Sequence, residues 1–189
     1  MRAGPFLLFL REMPPRHGYN RLWKSRQTGR IPPTGFMMKA MIIDRIVSLA
    51  DEREPLRHAE LPVPRPGDGE TLVRVAACGV CHTELDEIEG RTPPPRLPVI
   101  PGHQVVGRVV ENGRGAKRFP VGARVGVAWI FSACGVCGHC LGGHENLCPD
   151  FRATGRDANG GYAEFMTVPE VFAHPSPEVF PDSQAAPLL

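Results

Sequence analysis

The chain contains the stretch CGVCGHCLGGHENLC at residues 134–148, which places cysteines at Cys134, Cys137, Cys140 and Cys148. Thiolates at this spacing can close a tetrahedron around one Zn²⁺. The glycines between them allow the backbone to turn sharply enough for every sulfur to point inward. Because sulfur fills every ligand position, such a site is structural and leaves no position for water or substrate. The spacing therefore predicts a structural zinc site in a lobe of its own.

Two other interpretations of these cysteines remain open: two disulfides, or unpaired thiols in a core. The apolar run at residues 6–10 is shorter than the ~7 residues that the core of a secretory signal needs. We therefore expect a cytoplasmic protein. A reducing cytosol disfavours disulfides, so zinc is the preferred interpretation.

The composition is that of a globular protein with many short elements. The 189 residues suffice for one domain with a core, and 42% are hydrophobic and 22% charged. Glycine and proline supply 21 residues each while aromatic residues make up only 7%, which favours short strands and tight turns over long helices. The net charge of +2 is too small to indicate a nucleic-acid partner. No apolar run approaches the ~18 residues of a membrane helix, so no membrane partner is expected.

Residues 1–38 differ from the rest of the chain. They carry seven basic residues and one acidic residue, whereas the remainder carries 15 basic and 19 acidic residues. The segment shows no helical or strand period. We expect a disordered tail, or a start codon assigned too far upstream with Met37, Met38 or Met41 as the true start. An organelle-targeting peptide is the alternative, since the segment is rich in arginine.

Residues 39–189 show the pattern of a mainly β domain. Apolar or alternating runs predict strands at residues 40–47, 71–77, 104–111, 123–129 and 162–168. Residues 82–89 predict a short helix that ends at Gly90, and Asp182 or Ser183 is a candidate cap for a second helix. Proline-rich connections are expected at residues 55–68 and 93–101. The pattern predicts a barrel-like domain with the cysteine lobe inserted between strands.

A second set of candidate metal ligands precedes the lobe. It comprises Cys78-Gly-Val-Cys81-His82-Thr83, followed by Gly102-His103. Taken alone, the two cysteines fit half of a zinc ribbon or a redox pair. A ribbon needs a partner pair, but the later cysteines already form a full set. A redox pair usually lies in a thioredoxin-like βαβ context, which the pattern lacks.

Residues 39–189 resemble the N-terminal, GroES-like catalytic domain of zinc-dependent alcohol dehydrogenases of the medium-chain dehydrogenase/reductase family. GVCHTE at residues 79–84 is similar to the first catalytic-zinc motif of that family, and PGHQVVG at residues 101–107 to its Gly-His-Glu-x-x-Gly motif. The cysteine lobe resembles the structural zinc site, and GGYAE at residues 160–164 resembles the strand that follows. The motifs occur in the family's order and at its separations.

The resemblance implies a role for each matching residue. Cys81 and His103 would be the first two protein ligands of a catalytic zinc, and the lobe cysteines would hold the structural zinc. Thr83 would pass the substrate hydroxyl proton towards solvent, and His82 would lie near the pyrophosphate of the cofactor. Cys78 has no ligand role in the family and is expected to pack in the core.

Two residues depart from the family pattern next to these ligands. Glu84 occupies the position of an aspartate that orients the zinc-ligating histidine through a hydrogen bond. Gln104 replaces the glutamate that follows that histidine, which removes a negative charge near the metal. In the family, zinc lowers the pKa of the alcohol and NAD or NADP accepts the hydride.

The resemblance also indicates what the chain lacks. The family's third catalytic ligand is a cysteine shortly after a segment like residues 185–189, where this chain stops, and no Gly-x-Gly-x-x-Gly of a Rossmann domain is present. We therefore expect a partly open GroES-like barrel without a Rossmann domain, from a nicotinamide-linked alcohol dehydrogenase, and an inactive fragment. The expected partners are an alcohol or aldehyde substrate, the missing Rossmann domain and, for the full-length enzyme, further copies of itself.

Three rival functions follow from the same residues. A non-enzymatic zinc-binding remnant is the main alternative. A co-chaperonin would share the barrel but has no use for the zinc lobe, and fold alone does not fix function. A nucleic-acid-binding zinc module would need a basic stripe beside the lobe, and none is present.

Overall fold

The computed structural model describes residues 35–189, so most of the predicted tail, residues 1–38, lies outside the described residues. The first strand, β1 (Met37–Ile42), begins before the expected domain start at residue 39. Met38 is buried and packs with Ala40, Ile100 and Ala163. The folded region therefore includes Met37 and Met38.

A five-stranded antiparallel sheet forms the centre of the domain, in the order β8-β3-β4-β5-β9. Its strands are β3 (Glu70–Cys78), β4 (Val105–Asn112), β5 (Arg124–Val127), β8 (Phe165–Pro169) and β9 (Ala173–Pro175). Two register shifts interrupt the pairing of β3 with β4. Such shifts increase the local twist and curl the sheet into a half-barrel. This confirms the predicted mainly β, partly open barrel.

Valines on β4 explain why this strand lies in the middle of the sheet. Val105 and Val109 are fully buried in the main core, with side chains from β3, β5 and β8. Val106, on the opposite face, is also fully buried and packs against Ala185 and Ala186. Since successive side chains of a strand point to opposite faces, β4 is covered on both sides. The C-terminal segment, residues 182–189, covers the second face of β4.

A smaller, two-stranded sheet near the N-terminal end of the described residues differs from the prediction. β1 ends at Ile42 rather than at residue 47, and it pairs with β2 (Arg57–Pro62). The predicted proline-rich connection at residues 55–68 was therefore wrong over β2. The prolines obscured the strand signal, but they lie outside the strand or at its end, where an edge strand tolerates them.

The cysteine lobe follows β6 (Ile130–Ser132), which pairs with β7 (Arg152–Ala153) across the lobe. Between these strands lie a one-turn helix, α2 (Gly138–Leu141), and a 3₁₀ turn at Glu145–Leu147. α2 is the second helix of the described chain, after α1 (His82–Ile88). The lobe is thus an insertion between strands, as predicted.

The C-terminal segment continues through α3 (Asp182–Ala185) into a 3₁₀ turn at Ala186–Leu188. The predicted cap was wrong, since Pro181 occupies the N-cap position and Asp182 is the first helical residue. The Asp182 carboxylate instead accepts hydrogen bonds from the buried guanidinium of Arg124, at 2.8 and 3.0 Å. Within residues 35–189 no helix is long and apolar enough to cross a membrane.

Candidate metal centres

The first candidate centre lies where α1 begins. Cys81 immediately precedes α1, which ends at Ile88. Gly90 follows with φ of 75°, a left-handed conformation that glycine adopts without strain, so the predicted glycine end of the helix is confirmed. Thr83 lies in the first turn, and its Oγ1 is 3.6 Å from Sγ of Cys81.

His103 lies in the loop that leads into β4. Gly102 has φ of 98°, and a Cβ there would lie 2.5 Å from the ring of Tyr162, so this position requires glycine. The His103 ring is buried and meets the Trp129 ring edge-on, with centroids 5.0 Å apart. The close packing holds the imidazole in one place.

Glu84 joins the two predicted ligands. Its Oε2 accepts a hydrogen bond from the backbone N–H of Cys81 at 2.7 Å. Its Oε1 lies 2.8 Å from Nδ1 of His103, but the geometry is that of an ion pair and not of a well-directed hydrogen bond. A carboxylate against Nδ1 leaves Nε2 as the nitrogen that can bind a metal. Both carboxylate oxygens therefore face the predicted ligand residues.

The electrostatics of this group favour a thiolate and an imidazolium. Burial acts to raise the pKa of Cys81, but hydrogen bonds with Thr83 and the proximity of His103 outweigh it, and the net shift is downward. Burial acts to lower the pKa of His103, but Glu84 and Cys81 outweigh it, and the net shift is upward. Cys81 and His103 thus stabilise each other's charged forms. A metal ion bound to Nε2 would take the place of the imidazolium proton.

Glu87 is a buried residue of this region that the sequence reasoning missed. Its side chain is fully buried on α1, and neither of its carboxylate oxygens has a hydrogen-bond partner. Burial, together with the charge of Glu84, raises the pKa of Glu87 to about 8. The helix period places Glu84, Glu87 and Ile88 on one face of α1, but the sequence does not show that this face is buried.

The other predicted residues of this region occupy different surroundings. The Gln104 amide is directed at the last residue of the chain, where its Nε2 donates to the backbone oxygen of Leu189 at 2.9 Å. The His82 side chain is exposed, with Nε2 3.6 Å from Asp86. Cys78 packs against the main core, as predicted, and burial raises the pKa of its thiol.

The second candidate centre is the cysteine lobe. The sulfurs of all four lobe cysteines lie within 4.8 Å of one another. Sγ of Cys140 is 3.6 Å from Sγ of Cys137 and 3.9 Å from Sγ of Cys134. A tetrahedral site with Zn–S bonds of about 2.3 Å requires sulfurs about 3.8 Å apart. The thiol positions therefore fit a zinc ion.

The backbone of the lobe favours a thiolate at Cys134. The N–H of Cys137 donates to Sγ of Cys134 at 3.4 Å, and the N–H of Cys134 donates to Sγ of Cys148 at the same distance. Hydrogen bonds from Val136 and Cys137 lower the pKa of Cys134 to about 7. All six cysteines are free, which agrees with the zinc interpretation and not with the disulfide alternative. The lobe histidines, His139 and His144, are exposed.

Comparison with known proteins decides the family. The family described as "Alcohol dehydrogenase GroES-like domain" matches residues 67–178, more than half of the chain. The chain belongs to this family. Among its relatives is a probable alcohol dehydrogenase, AdhA, from Mycobacterium tuberculosis, which is 54% identical over 140 residues, or 71% of this chain and 40% of that protein.

Solved structures confirm the GroES-like fold. A cobalt- and zinc-bound thermostable alcohol dehydrogenase from Pyrobaculum aerophilum is 31% identical, with a TM-score of 0.72 over 81% of this chain and 44% of that one. An NADP-bound putative zinc-binding dehydrogenase from Sinorhizobium meliloti is 32% identical, with a TM-score of 0.70 over 80% of this chain and 42% of that one. This member of the family thus spans less than half the length of the relatives that it matches.

Proposed function

We propose that this chain is the zinc-binding catalytic domain of a nicotinamide-linked alcohol dehydrogenase that interconverts an alcohol with an aldehyde or ketone. The observation that carries the proposal is the assembly of Cys81 and His103 around the Glu84 carboxylate, since these are the residues that match the family's catalytic motifs. The lobe sulfurs fit a zinc ion, and the family relationship makes zinc the metal of choice at both centres.

In this proposal, Sγ of Cys81 and Nε2 of His103 bind the catalytic metal. Zinc bound there would supply a Lewis acid that lowers the pKa of a substrate alcohol. Glu84 holds the His103 imidazole at Nδ1 and leaves Nε2 for the metal. Thr83 Oγ1, beside the Cys81 sulfur, takes up and passes on the proton of the substrate hydroxyl.

A catalytic zinc site normally has three protein ligands. In this proposal Cys81 and His103 are two of them. In the family, the third ligand is a cysteine shortly after a segment like residues 185–189. The four lobe cysteines hold the second, structural zinc and stabilise the loop between β6 and β7.

The whole enzyme would also need a cofactor, and it would act as an assembly of several copies. NAD or NADP would bind on a Rossmann domain, with the exposed His82 near its pyrophosphate. The whole enzyme would assemble as a homo-oligomer. Its free cysteines are compatible with a reducing compartment, and we place the protein in the cytoplasm.

The test is made on the full-length natural protein in which this sequence occurs. Zinc per chain and alcohol-dependent reduction of NAD or NADP are measured for the wild type and for two matched variants, Cys81→Ala and Cys78→Ala. We expect Cys81→Ala to lose activity and one zinc, and Cys78→Ala, which removes a thiol outside the site, to keep both zincs. Equal zinc content and activity in the two variants would contradict the assignment of Cys81. Zinc at the lobe without activity in the wild type would favour the non-enzymatic alternative.

A further inference from the structure

The backbone of Tyr162 belongs to a segment that runs alongside the approach to His103. Residues 160–162 pair with residues 100–102, which immediately precede His103. Three backbone hydrogen bonds join the two segments: Gly160 to Ile100 at 2.7 Å, Gly161 to Gly102 at 2.8 Å, and Tyr162 to Pro101 at 3.0 Å. Each is donated by the N–H of the first residue to the carbonyl of the second. The backbone of Tyr162 is therefore fixed next to the loop that carries His103.

The side chain of Tyr162 reaches from this segment to the loop that carries Cys81. Its ring lies against Gly102, where a Cβ would come within 2.5 Å of Cδ1. Its hydroxyl donates to the carbonyl of Gly79 at 3.4 Å, and Gly79 lies two residues before Cys81. Burial raises the pKa of the Tyr162 hydroxyl, so the group stays protonated and can donate. One side chain thus touches both loops from which the proposed metal ligands project.

The two loops meet closely around this side chain. The thiol of Cys78 also faces Gly102, where a Cβ would come within 2.9 Å of Sγ. The N–H of Gly79 donates to the carbonyl of Gln104 at 2.8 Å and joins the loops directly. Protein interiors are packed without spare volume, so a smaller side chain at one contact lets its neighbours move. The separation of the loops therefore depends on the size of the Tyr162 ring.

We infer that Tyr162 is a positioning residue, whose ring sets the separation of the loops that carry Cys81 and His103. Metal ligands must be held within about 0.5 Å of their productive geometry, so two ligands on separate loops need a part that fixes one loop against the other. At 3.4 Å the hydroxyl bond is long, so the bulk of the ring contributes more than the hydrogen bond. The consequence for the metal rests on the proposed function, whereas the spacing of the loops does not.

Hydrogen exchange at the Gly79 amide tests the spacing, since the hydrogen bond of this amide spans the two loops. All variants are made in the full-length natural protein in which this sequence occurs. In Tyr162→Leu, which loses the ring, we expect exchange at Gly79 to accelerate by about tenfold or more. Tyr162→Phe keeps the ring and should stay within about threefold of the wild type. Phe165→Leu shortens an aromatic side chain of β8 that packs in the same apolar cluster as Tyr162, and it should leave the exchange unchanged.

Equal exchange at Gly79 in Tyr162→Leu and Phe165→Leu would overturn the inference. An acceleration in Tyr162→Phe as large as that in Tyr162→Leu would also overturn it, because the hydroxyl and not the ring would then hold the loops. If Tyr162→Leu does not fold, Tyr162→Met, which also lacks the ring, takes its place with the same expected direction.

Cobalt affinity provides a second readout, which a general loss of stability would not reproduce because it compares two metal centres of one protein. The cobalt–thiolate absorption that disappears in Cys81→Ala reports the Cys81–His103 centre. Tyr162→Leu should weaken cobalt at this centre by roughly tenfold and leave cobalt at the lobe unchanged. Phe165→Leu should change neither affinity. Unchanged cobalt affinity together with faster exchange at Gly79 would overturn the positioning role.

The proposed function and the role of Tyr162 can fail separately. If the wild type binds no cobalt at Cys81 and His103, the proposed function fails. Exchange at Gly79 needs no metal and still decides whether Tyr162 spaces the loops, so the two failures are distinguishable.

Discussion

Oε1 of Glu84 lies 2.8 Å from Nδ1 of His103, while Oε2 of the same carboxylate accepts the backbone N–H of Cys81. One side chain thus orients both proposed ligands of the catalytic metal. A glutamate reaches His103 here even though the family has the shorter aspartate at this position. Glu84 is itself buried, at 2% exposure.

Replacement of Glu84 by glutamine should weaken the catalytic centre. The amide cannot accept from Cys81 N–H and also present a negative oxygen to Nδ1 of His103. Loss of such a partner typically costs 10- to 100-fold in metal affinity. Chelator competition on the zinc protein measures the effect, and Glu60→Gln, at an exposed position of β2, is the control. Identical affinities for both variants would refute the role of Glu84.

Replacement of one lobe cysteine should release one zinc and unfold the lobe without unfolding the sheet. Cys148→Ser is the sharpest test, since Cys148 is the buried member of the set. We expect zinc content to fall by one per chain and amide protection to be lost at residues 134–148, while the amides of β4 stay protected. Cys78→Ala is the matched control. A protein that keeps its zinc in Cys148→Ser would rule out the four-cysteine site.

Glu87 should make stability fall as pH rises. Its pKa moves from 4.5 to about 8 on folding, so between these values the folded state binds more protons than the unfolded state. The free energy of unfolding therefore decreases through this interval and levels off above about pH 8. Glu87→Leu should remove this slope and stabilise the protein at high pH by on the order of 1–3 kcal/mol.

Urea unfolding across this pH interval measures the effect for wild type and Glu87→Leu, with Glu60→Gln as the exposed control. A wild-type slope that survives in Glu87→Leu would show that another group titrates. Both proteins should be compared at the same zinc content, because metal binding is itself pH-dependent.

Arg124 should anchor the C-terminal segment. Its guanidinium is 3% exposed and donates to the Asp182 carboxylate and to the carbonyls of Pro177 and Phe180. Arg124→Met should lower the free energy of unfolding by about 1–3 kcal/mol, because three acceptor groups of the C-terminal segment lose their buried donor. Thermal unfolding measures the loss, and Arg53→Met, at an exposed position, should cost little. Equal unfolding temperatures for the two variants would contradict this role of Arg124.

The sequence by itself determined the cysteine set of the lobe and most of the sheet. Only two or seven residues separate successive lobe cysteines, so chain geometry alone restricts how far apart their sulfurs can lie. Apolar or alternating runs likewise predicted β3, β4 and β8, because a strand buries apolar side chains on one or both of its faces. β2 escaped prediction because its side chains are largely exposed and its ends are rich in proline.

Only the tertiary structure decided what surrounds each ligand. Glu84 and His103, Gln104 and Leu189, and Arg124 and Asp182 are pairs far apart in the sequence, and no local pattern specifies their contacts. The burial of Glu87 depends on what packs over α1, which the helix period alone does not reveal. Spacing along the chain fixes which groups can share a metal, whereas packing between strands and segments fixes their charge, orientation and partners.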